Sequence, residues 1–378
     1  VRSVNLSWRY LRKLWCRKHT ASLISQGRQN RGMDNFYIIT NSDKDENLEF
    51  SGQIEEYLHK NGCRCMVQQA ERKKEGAYHY TNPDLIPEDT QCILVLGGDG
   101  TLLQAARDVV HREIPMLGIN LGTLGFLAEV DKQSVYAALD KLKEDDYEIE
   151  ERMMLTGTVW RDDKIVGRDV ALNDIVIGRD GHLRVVRFKN YVNNVYLNSY
   201  NADGIIISTP TGSTGYSLSC GGPIVAPNGS MTLMTPIAPH TLNTRSIIFP
   251  AEDVITVELG EGRHEDMENG LASFDGDTVI PMVTGDRIVI QKASVSSRIL
   301  KLNHVSFVEV LRQKIADTDG THGPFIIEPL QSTPAFRYQR LPICAGEGQG
   351  PMNEEQIQIL HLQIFEGGFK ACHGFIIA

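Results

Sequence analysis

Hydrophobic and polar positions between residue 33 and about residue 130 follow a repeating pattern of short apolar runs and longer amphipathic stretches. The runs "FYIIT", "CILVLG" and "IPMLGIN" are typical of buried strands, and "LEFSGQIEEYLHKNG" and "TLLQAARDVVHRE" have helical spacing. Strands that alternate with helices predict βαβ units and a parallel sheet. The pattern therefore predicts an α/β domain whose first strand follows Met33.

The pattern changes to strands alone between about residues 150 and 300. Pieces such as "LTGTVWRD", "DIVIGR", "DVITVEL" and "RIVIQKA" dominate this part. Asn193 and Asn194 form a favourable two-residue hairpin turn between two of the predicted strands. We therefore expect a second domain that is mostly β.

Composition limits the classes of partner. The chain has 378 residues and a net charge of -10, which suits about two globular domains and argues against nucleic acid or an anionic membrane as the main partner. No stretch approaches the ~20 apolar residues of a membrane span. Seven scattered cysteines form no disulfide framework, so we expect a cytoplasmic protein. We also expect no metal site, because Cys63 and Cys65 are the only close pair and a zinc site needs about four ligands.

The two ends differ in composition from the middle. Residues 1–32 carry eight Lys or Arg and no acid, which fits a transit peptide, a solvated basic tail, or sequence upstream of a true start at Met33. We favour the last interpretation and expect this extension to lie outside the fold. Residues 316–378 are rich in Pro and Gly without sustained periodicity, so we expect no packed third domain there and assign the tail no role.

The motif "GGDGT" begins at Gly97, directly after a predicted strand of the parallel sheet. Ligands of such sheets gather at the carboxyl ends of the strands. Gly97, Gly98 and Gly100 let backbone N–H groups approach a phosphate, and a helix beginning near Thr101 would present its positive N-terminus there. Asp99 would repel the phosphate unless it accepts a proton or orients a hydroxyl beside the reacting phosphoryl group. A role in the turn alone remains the alternative.

Two further segments extend this candidate site. "NLGTLGFLAEVD" (120–131) is a second glycine-spaced segment after a predicted strand. "ADGIIISTPTGSTGYSLSCGGPIVAP" (202–227) joins a carboxylate and an apolar strand to a stretch of small hydroxyl residues and glycine. Short hydrogen-bonding side chains without bulk suit close wrapping of a polar ligand such as a nucleotide.

These segments, together with "LNDIVI", "TPIAPHTL", "SFDGD" and "HVSFVEVLRQKI", resemble the bacterial type of NAD kinase in order and spacing, from about residue 35 to residue 315. The resemblance implies transfer of the ATP γ-phosphoryl group to the 2′-hydroxyl of the adenosine ribose of NAD, giving NADP. It also implies a phosphofructokinase-like nucleotide-binding α/β domain followed by a mostly β domain. We accordingly predict an α/β domain over 33–131 joined by a returning segment 300–315, and a β-rich NAD-binding domain over 132–299.

The resemblance also assigns site residues. Asp99 is implied to be the proton acceptor, and the phosphate-donor loop is Gly97, Gly98, Gly100 and Thr101. The residues implied to bind NAD are Asp99, Gly100, Asn173, Asp174, Arg184, Asp203, Thr214, Gly215, Tyr216, Ser217, Leu218, Ser219 and Asp275. Asp174 stands where the family has the longer Glu, Gly215 where Ala is usual, and Asn201 where many members have Arg.

The resemblance further implies ATP as the phosphate donor and a homo-oligomer, dimer or tetramer. Because the sequence shows no metal cage, we expect Mg²⁺ to arrive bound to ATP. The net charge leads us to expect no nucleic-acid or membrane partner. Two alternatives stay open: a lipid kinase with a GGDGT motif, and an NAD-binding regulator without turnover. The hydroxyl-rich segment argues against the apolar acceptor pocket of a lipid kinase. The sequence leaves open whether polyphosphate replaces ATP and whether NADH is accepted.

Overall fold

The computed structural model describes residues 32–41, 43–68, 81–122, 125–181, 185–241, 244–261, 267–302 and 306–316. The predictions for the basic extension and for the Pro/Gly-rich tail lie outside these ranges, apart from the two boundary residues Gly32 and Ala316.

The first part of the chain forms parallel strands connected by helices, as the hydrophobic pattern predicts. Its elements are β1 (Asn35–Thr40), α1 (Glu49–Lys60), β2 (Arg64–Val67), β3 (Cys92–Gly97), α2 (Asp99–Asp108), β4 (Met116–Asn120), β5 (Val130–Asp131) and α3 (Val135–Lys143). Strand β1 pairs in parallel with β2 and β3, and β3 pairs in parallel with β4. These strands therefore point their carboxyl ends to the same edge.

Helices cover both faces of this parallel sheet, which explains why its central strands are apolar at every position rather than at alternate ones. All six residues of β3 are buried. Leu94 packs in one cluster with Ile54 of α1, and its neighbour Ile93 packs in a second cluster with Leu102 of α2. Burial of each such side chain contributes ~1.5–3 kcal/mol, so the strands and helices stabilise one another.

The second part is built almost entirely of strands, as predicted. They are β6 (Glu148–Arg161), β7 (Lys164–Ala171), β8 (Asp174–Arg179), β9 (Val186–Val192), β10 (Val195–Ala202), β11 (Gly204–Ser208), β12 (Met231–Ile237), β13 (Ile247–Pro250), β14 (Ile255–Leu259), β15 (Asn269–Phe274), β16 (Thr278–Val283) and β17 (Arg287–Lys301). The short helix α4 (Tyr216–Ser219) interrupts them, and α5 (Phe307–Ala316) follows. The predicted turn is present: β9 and β10 are joined by Asn193 and Asn194, with φ of 50° and 64°.

The strands of the described residues form two sheets. One has eleven strands and contains the core order β10-β9-β14-β17-β4-β3-β1-β2, and the other has six strands in the order β13-β12-β11-β8-β15-β16. A shared core lies between them, with Phe188 from the first sheet and Ile205 and Phe274 from the second. In the larger sheet, β17 pairs with β4 at Ile299 and Met116, so this sheet runs through both parts of the chain. The predicted domain boundaries therefore remain predictions.

Candidate functional site

Three loops meet at the carboxyl edge of the parallel strands, where the sequence pattern places the site. The loop after β1 contacts the GGDGT segment through Asn41, whose Nδ2 donates a hydrogen bond to Oγ1 of Thr101 at 3.3 Å. The loop after β4 contacts it through Leu121, whose N–H donates to the carbonyl of Gly97 at 2.9 Å. The neighbouring order of β1, β3 and β4 thus holds the loops together.

The GGDGT segment is shaped by close packing within itself. A Cβ added to Gly97 would lie 2.2 Å from Oγ1 of Thr101, so only glycine fits there. Gly98 is extended and precedes helix α2, which begins at Asp99, two residues earlier than the sequence predicts. An acid in the first turn is favoured by the positive end of the helix, which accounts for the earlier start. A Cβ added to Gly100 would meet no atom within 4 Å, so its surface is open to a ligand.

The Asp99 carboxylate is held by the second glycine segment. Its oxygens accept hydrogen bonds from the backbone N–H groups of Phe126 at 2.8 Å, Leu127 at 3.2 Å and Ala128 at 3.3 Å. A Cβ added to Gly125 would lie 2.0 Å from Oδ1 of Asp99, so glycine is required for this approach. The two glycine segments therefore form one structure with the carboxylate between them.

A second polar group lies in the β-rich part and centres on Asp275. Its carboxylate accepts hydrogen bonds from the backbone N–H groups of Leu172 at 2.7 Å, Asn173 at 2.8 Å and Asp174 at 3.0 Å. Burial raises the pKa of Asp275, whereas Arg107 and these three donors oppose the increase. The Asp275 carboxylate thus fixes the backbone that carries Asn173 and Asp174.

Asn173 and Asp174 have polar atoms that the described part of the protein leaves unsatisfied. Oδ1 of Asn173 is buried without a hydrogen-bond partner, and the buried Asp174 carboxylate receives no hydrogen bond from a described residue. Burial, and then the neighbouring Asp275, raise the pKa of Asp174 to about 8. A Cβ added to Gly215 would lie 3.4 Å from Nδ2 of Asn173 and 3.8 Å from Oδ2 of Asp174. Unsatisfied buried polar atoms beside a glycine are suited to receiving a polar ligand.

The hydroxyl-rich segment packs directly on this pair. Oγ1 of Thr209 donates to the carbonyl of Leu172 at 2.6 Å, and N–H of Thr209 donates to the carbonyl of Asn173 at 2.9 Å. A Cβ added to Gly212 would lie 2.1 Å from the carbonyl oxygen of Asn173. Thr209 therefore attaches this segment to the loop before β8.

The residues from Thr214 to Ser219 differ in their surroundings. Ser217 is buried and its Oγ lies 3.1 Å from Oγ1 of Thr235, whereas Thr214 donates to the carbonyl of Thr211 at 3.2 Å. Leu218 is half-buried and Ser219 is exposed.

Tyr216 is half-buried, and burial raises its pKa to about 12, with Cys220, Asp174 and Asp203 adding to the increase. The charges of Asp174 and Asp203 therefore both disfavour ionisation of this phenol.

Asp203 lies at the far end of strand β8 from Asp174. It precedes Gly204, which pairs with Gly178, and its Oδ1 accepts a hydrogen bond from Nε of Arg179 at 3.1 Å. Since a strand rises ~3.3 Å per residue, the two ends of β8 are about 16 Å apart. Asp174 and Asp203 can therefore contact different parts of a long ligand but not the same atom. Arg184 lies outside the described residues.

Arg107 connects the two polar groups. Its side chain is completely buried at the end of α2, and Nη2 contacts Oδ2 of Asp169 at 2.7 Å as well as Oγ1 of Thr278. Nη1 lies 3.5 Å from Oδ2 of Asp277, in the turn that carries Asp275. With a rise of 1.5 Å per residue, α2 places Arg107 about 12 Å from Asp99, so one helix links the GGDGT loop to the Asp275 turn.

Lys44, Arg107 and Arg179 contact candidate site residues or the turn that carries them, and the sequence analysis did not select them. For Lys44 a signal exists, because "NSDKDEN" is a polar segment at the carboxyl end of the first predicted strand. For Arg107 the signal is a charged residue within an apolar helix. Arg107 pairs with Asp169, and Arg179 pairs with Asp203. The partners in each pair are distant in sequence, so these ion pairs leave no local pattern.

The glycine loops lie on a parallel α/β sheet, and helix α2 links them to the buried polar group around Asp275 in the β-rich part. This combination is typical of a nucleotide-binding protein of the phosphotransferase class. A family model for the ATP-NAD kinase N-terminal domain matches residues 36–147, and one for the ATP-NAD kinase C-terminal domain matches residues 172–302. The chain belongs to the ATP-NAD kinase family.

Individual relatives agree. The chain is 44% identical over 295 residues to an NAD kinase of Lachnospira eligens, covering 75% of this chain and 100% of that protein. It is 44% identical over 287 residues to an NAD kinase of Agathobacter rectalis, covering 75% and 99%.

Solved structures share the fold. A yeast NADH kinase complexed with NADH superposes with a TM-score of 0.64 at 23% identity, covering 79% of this chain and 95% of that one. An NAD kinase from Archaeoglobus fulgidus in complex with ATP gives a TM-score of 0.59 at 22% identity, covering 75% and 98%. Among the described residues, no helix has the length and apolar character needed to cross a membrane.

Proposed function

We infer that the protein phosphorylates NAD: it transfers the γ-phosphoryl group of ATP to the 2′-hydroxyl of the adenosine ribose and so makes NADP. The observation that carries this inference is the Asp99 carboxylate, held by three backbone N–H groups where two glycine segments meet, in a chain of the ATP-NAD kinase family. A carboxylate among phosphate-binding glycines is suited to removing a proton from an attacking hydroxyl.

We assign the two polar groups to the two substrates. The phosphates of ATP bind at Gly97, Gly98, Gly100 and Thr101, where backbone N–H groups and the N-terminus of α2 favour an anion. NAD binds at Asn173, Asp174 and Gly215, where unsatisfied polar atoms are buried. Tyr216 and Asp203 extend this site along β8, and the remaining NAD contacts, including Arg184, stay predictions.

Asp99 acts on the ribose hydroxyl in this proposal. Its carboxylate accepts the proton of the 2′-hydroxyl while the hydroxyl oxygen bonds to the γ-phosphorus and the bond from phosphorus to the bridging oxygen of ADP breaks. The backbone N–H groups of residues 126–128 keep the carboxylate in one orientation during this step. Positioning contributes more than proton removal when the phosphoryl transfer is dissociative.

The described residues contain no group of three or more His, Cys, Asp or Glu side chains that could hold a metal ion. The metal ion would therefore arrive bound to ATP, and Mg²⁺ on the phosphates would neutralise part of their charge.

Two further proposals are a homo-oligomer and a cytoplasmic location. The described cysteines Cys63, Cys65, Cys92 and Cys220 are all unpaired, which supports a reducing compartment.

The test is incubation of the purified protein with ATP, Mg²⁺ and NAD, followed by an NADP-specific dehydrogenase assay. Parallel reactions replace ATP by polyphosphate, or NAD by NADH, to identify the donor and the acceptor. Binding of NAD without any NADP formation would identify a regulator. Phosphorylation of diacylglycerol in place of NAD would identify a lipid kinase, which the buried Asp174 side chain and the buried Oδ1 of Asn173 argue against.

A further inference from the structure

Lys44 lies in the loop after β1, which is held in place on both sides. Nδ2 of Asn41 donates to Oγ1 of Thr101 at 3.3 Å, and N–H of Lys44 donates to the carbonyl of Asn41 at 3.0 Å. The next residue, Asp45, is buried, and its carboxylate accepts hydrogen bonds from N–H of Phe50 at 2.8 Å as well as from two other donors. The backbone of Lys44 is thus fixed against the GGDGT segment.

The ammonium group of Lys44 reaches both glycine segments. A Cβ added to Gly98 would lie 3.5 Å from Nζ, and a Cβ added to Gly122 would lie 3.7 Å from it. Gly98 follows β3 and Gly122 follows β4, so the ammonium lies across the carboxyl ends of two adjacent parallel strands. Because both residues lack side chains, the space beside the ammonium is bordered by backbone.

No carboxylate or other acceptor among the described residues pairs with the Lys44 ammonium, although the chain is strongly acidic. Two acids flank Lys44 in the chain: Asp45 is engaged with the start of α1, and Asp43 is exposed and forms no ion pair with Lys44 among the described residues. Asp99 is engaged with residues 126–128. An unpaired ammonium beside Gly98, the N-cap of α2, adds to the positive potential of the helix N-terminus. The natural complement of that potential is a polyanion.

We propose that Lys44 binds the polyphosphate chain of the phosphate donor between Gly98 and Gly122, and that it orients the transferred phosphoryl group. This proposal rests on the proposed function, since it concerns the donor of that reaction. A lysine ammonium acts on phosphate as a point charge, and it would contact the chain directly rather than through another residue. The contact does not depend on the adenosine of ATP, so a donor without a nucleoside satisfies it equally.

The test compares Lys44→Gln and Lys44→Arg with Lys164→Gln, a control that removes the same charge from an exposed lysine in the hairpin between β6 and β7. Isothermal titration calorimetry gives the Kd of ATP, inorganic tripolyphosphate and NAD for each folded variant. Hydrogen bonds to charged groups have net values that correspond to about 10-fold to 100-fold in affinity. We expect Lys44→Gln to weaken ATP and tripolyphosphate by that factor and NAD by less than about twofold. Lys44→Arg should retain most of the affinity, and the control should retain all of it.

Unchanged Kd values for ATP and tripolyphosphate in Lys44→Gln would overturn the proposal, as would an equal loss for NAD, which would indicate a general charge effect. Circular dichroism melting curves establish that each variant is folded. The proposed function fails separately: a parent protein that forms no NADP, yet binds tripolyphosphate through Lys44, would retain the anion site and lose the assigned reaction.

Discussion

Two regions of the molecule each hold a carboxylate with three backbone N–H groups, but in opposite surroundings. They are the GGDGT edge (residues 97–101 with 125–128) and the Asp275 pocket (residues 172–174 with Asp275). Asp99 is half-buried at the start of a helix, beside glycines that leave open space. Asp275 is only 4% exposed, and its carboxylate supports a second buried acid, Asp174. The same local arrangement therefore serves two different purposes.

The difference follows from solvent access. At the exposed edge, the N–H donors orient a carboxylate that remains accessible to a substrate hydroxyl. In the buried pocket, three such donors offset part of the cost of burying the Asp275 carboxylate, and the cost that remains raises the pKa of Asp275 to about 6. Burial of Asp174 itself, and then the neighbouring Asp275, raise the pKa of Asp174. We infer that the edge carries the reacting groups and that the pocket provides binding and position.

Asp99→Asn gives the largest effect on activity in this comparison. The amide oxygen can still accept the hydrogen bonds that Leu127 and Ala128 donate to Oδ1, but the amide NH2 replaces Oδ2 and loses the hydrogen bond from Phe126. Circular dichroism melting curves therefore accompany the rate measurements. Because general-base catalysis typically contributes ~10²–10⁴-fold, kcat should fall by that factor or somewhat less. Single-turnover rates, together with the Kd values of ATP and NAD, check this expectation.

The control for Asp99→Asn is Asp146→Asn, which removes the same charge from an exposed acid after α3 and should leave kcat unchanged. A variant that turns over at the parent rate would make Asp99 a structural residue of the two glycine segments. A folded variant that binds neither ligand would make it a binding residue.

Arg107→Met tests the link between the two regions. The substitution leaves Asp169 and Asp277 near a buried site without their cation, and removal of one partner of a buried ion pair costs about 3–5 kcal/mol. We expect the free energy of unfolding to fall by that amount in urea titrations. Arg168→Met, which changes an exposed neighbour of Asp169, should cost less than about 0.5 kcal/mol. Equal losses in both variants would contradict a specific role for Arg107.

The raised pKa of Asp174 in the pocket predicts that the free energy of unfolding depends on pH. The pKa of Asp174 is 3.8 when unperturbed and about 8 in the folded protein. The contribution of this carboxyl to the free energy of unfolding is therefore complete below pH 3.8 and is lost as the pH rises through about 8. Each unit of pKa difference corresponds to about 1.4 kcal/mol in the free energy of unfolding. Unfolding titrations between pH 4 and pH 9 should show this decrease in the parent protein. Asp174→Asn should remove most of it, and an identical pH profile would exclude Asp174 as its source.

Local patterns predicted much of the fold. Parallel strands that alternate with helices, and the turn at Asn193 and Asn194, follow from residue spacing and turn preference, which act over a few residues. The start of α2 at Asp99 differed by two residues, because the interaction of an acid with a helix N-terminus outweighs the preference for a longer glycine turn. The pairing of β17 with β4 had no local signal.

The site was predictable only in part, for the same reason. The GGDGT edge is contiguous in sequence, and its position after an apolar strand indicates a phosphate site. The pocket depends on hydrogen bonds between Asp275 and residues about a hundred positions earlier, and these bonds have no local signature. Resemblance identified Asp275 as a contact residue, but the three N–H donors that define its role required the structure.

Tyr216→Ala gives the smallest effect and tests whether the wrapping segment serves the pocket rather than the edge. Tyr216 is half-buried and directly follows Gly215, and we expect its ring to pack against bound NAD. Aromatic contacts of this kind are worth ~0.5–1.5 kcal/mol. Tyr216→Ala should therefore raise the KM for NAD by about 2-fold to 12-fold and the KM for ATP by less, in initial-rate assays that vary each substrate.

Two variants separate this role from a general loss of packing. Tyr216→Phe keeps the ring and should keep the KM for NAD, because the proposed contact uses the aromatic face. Tyr196→Ala removes an exposed ring from the β9–β10 hairpin and should change neither KM. Equal increases in both KM values for Tyr216→Ala, or no increase in either, would make Tyr216 a packing residue.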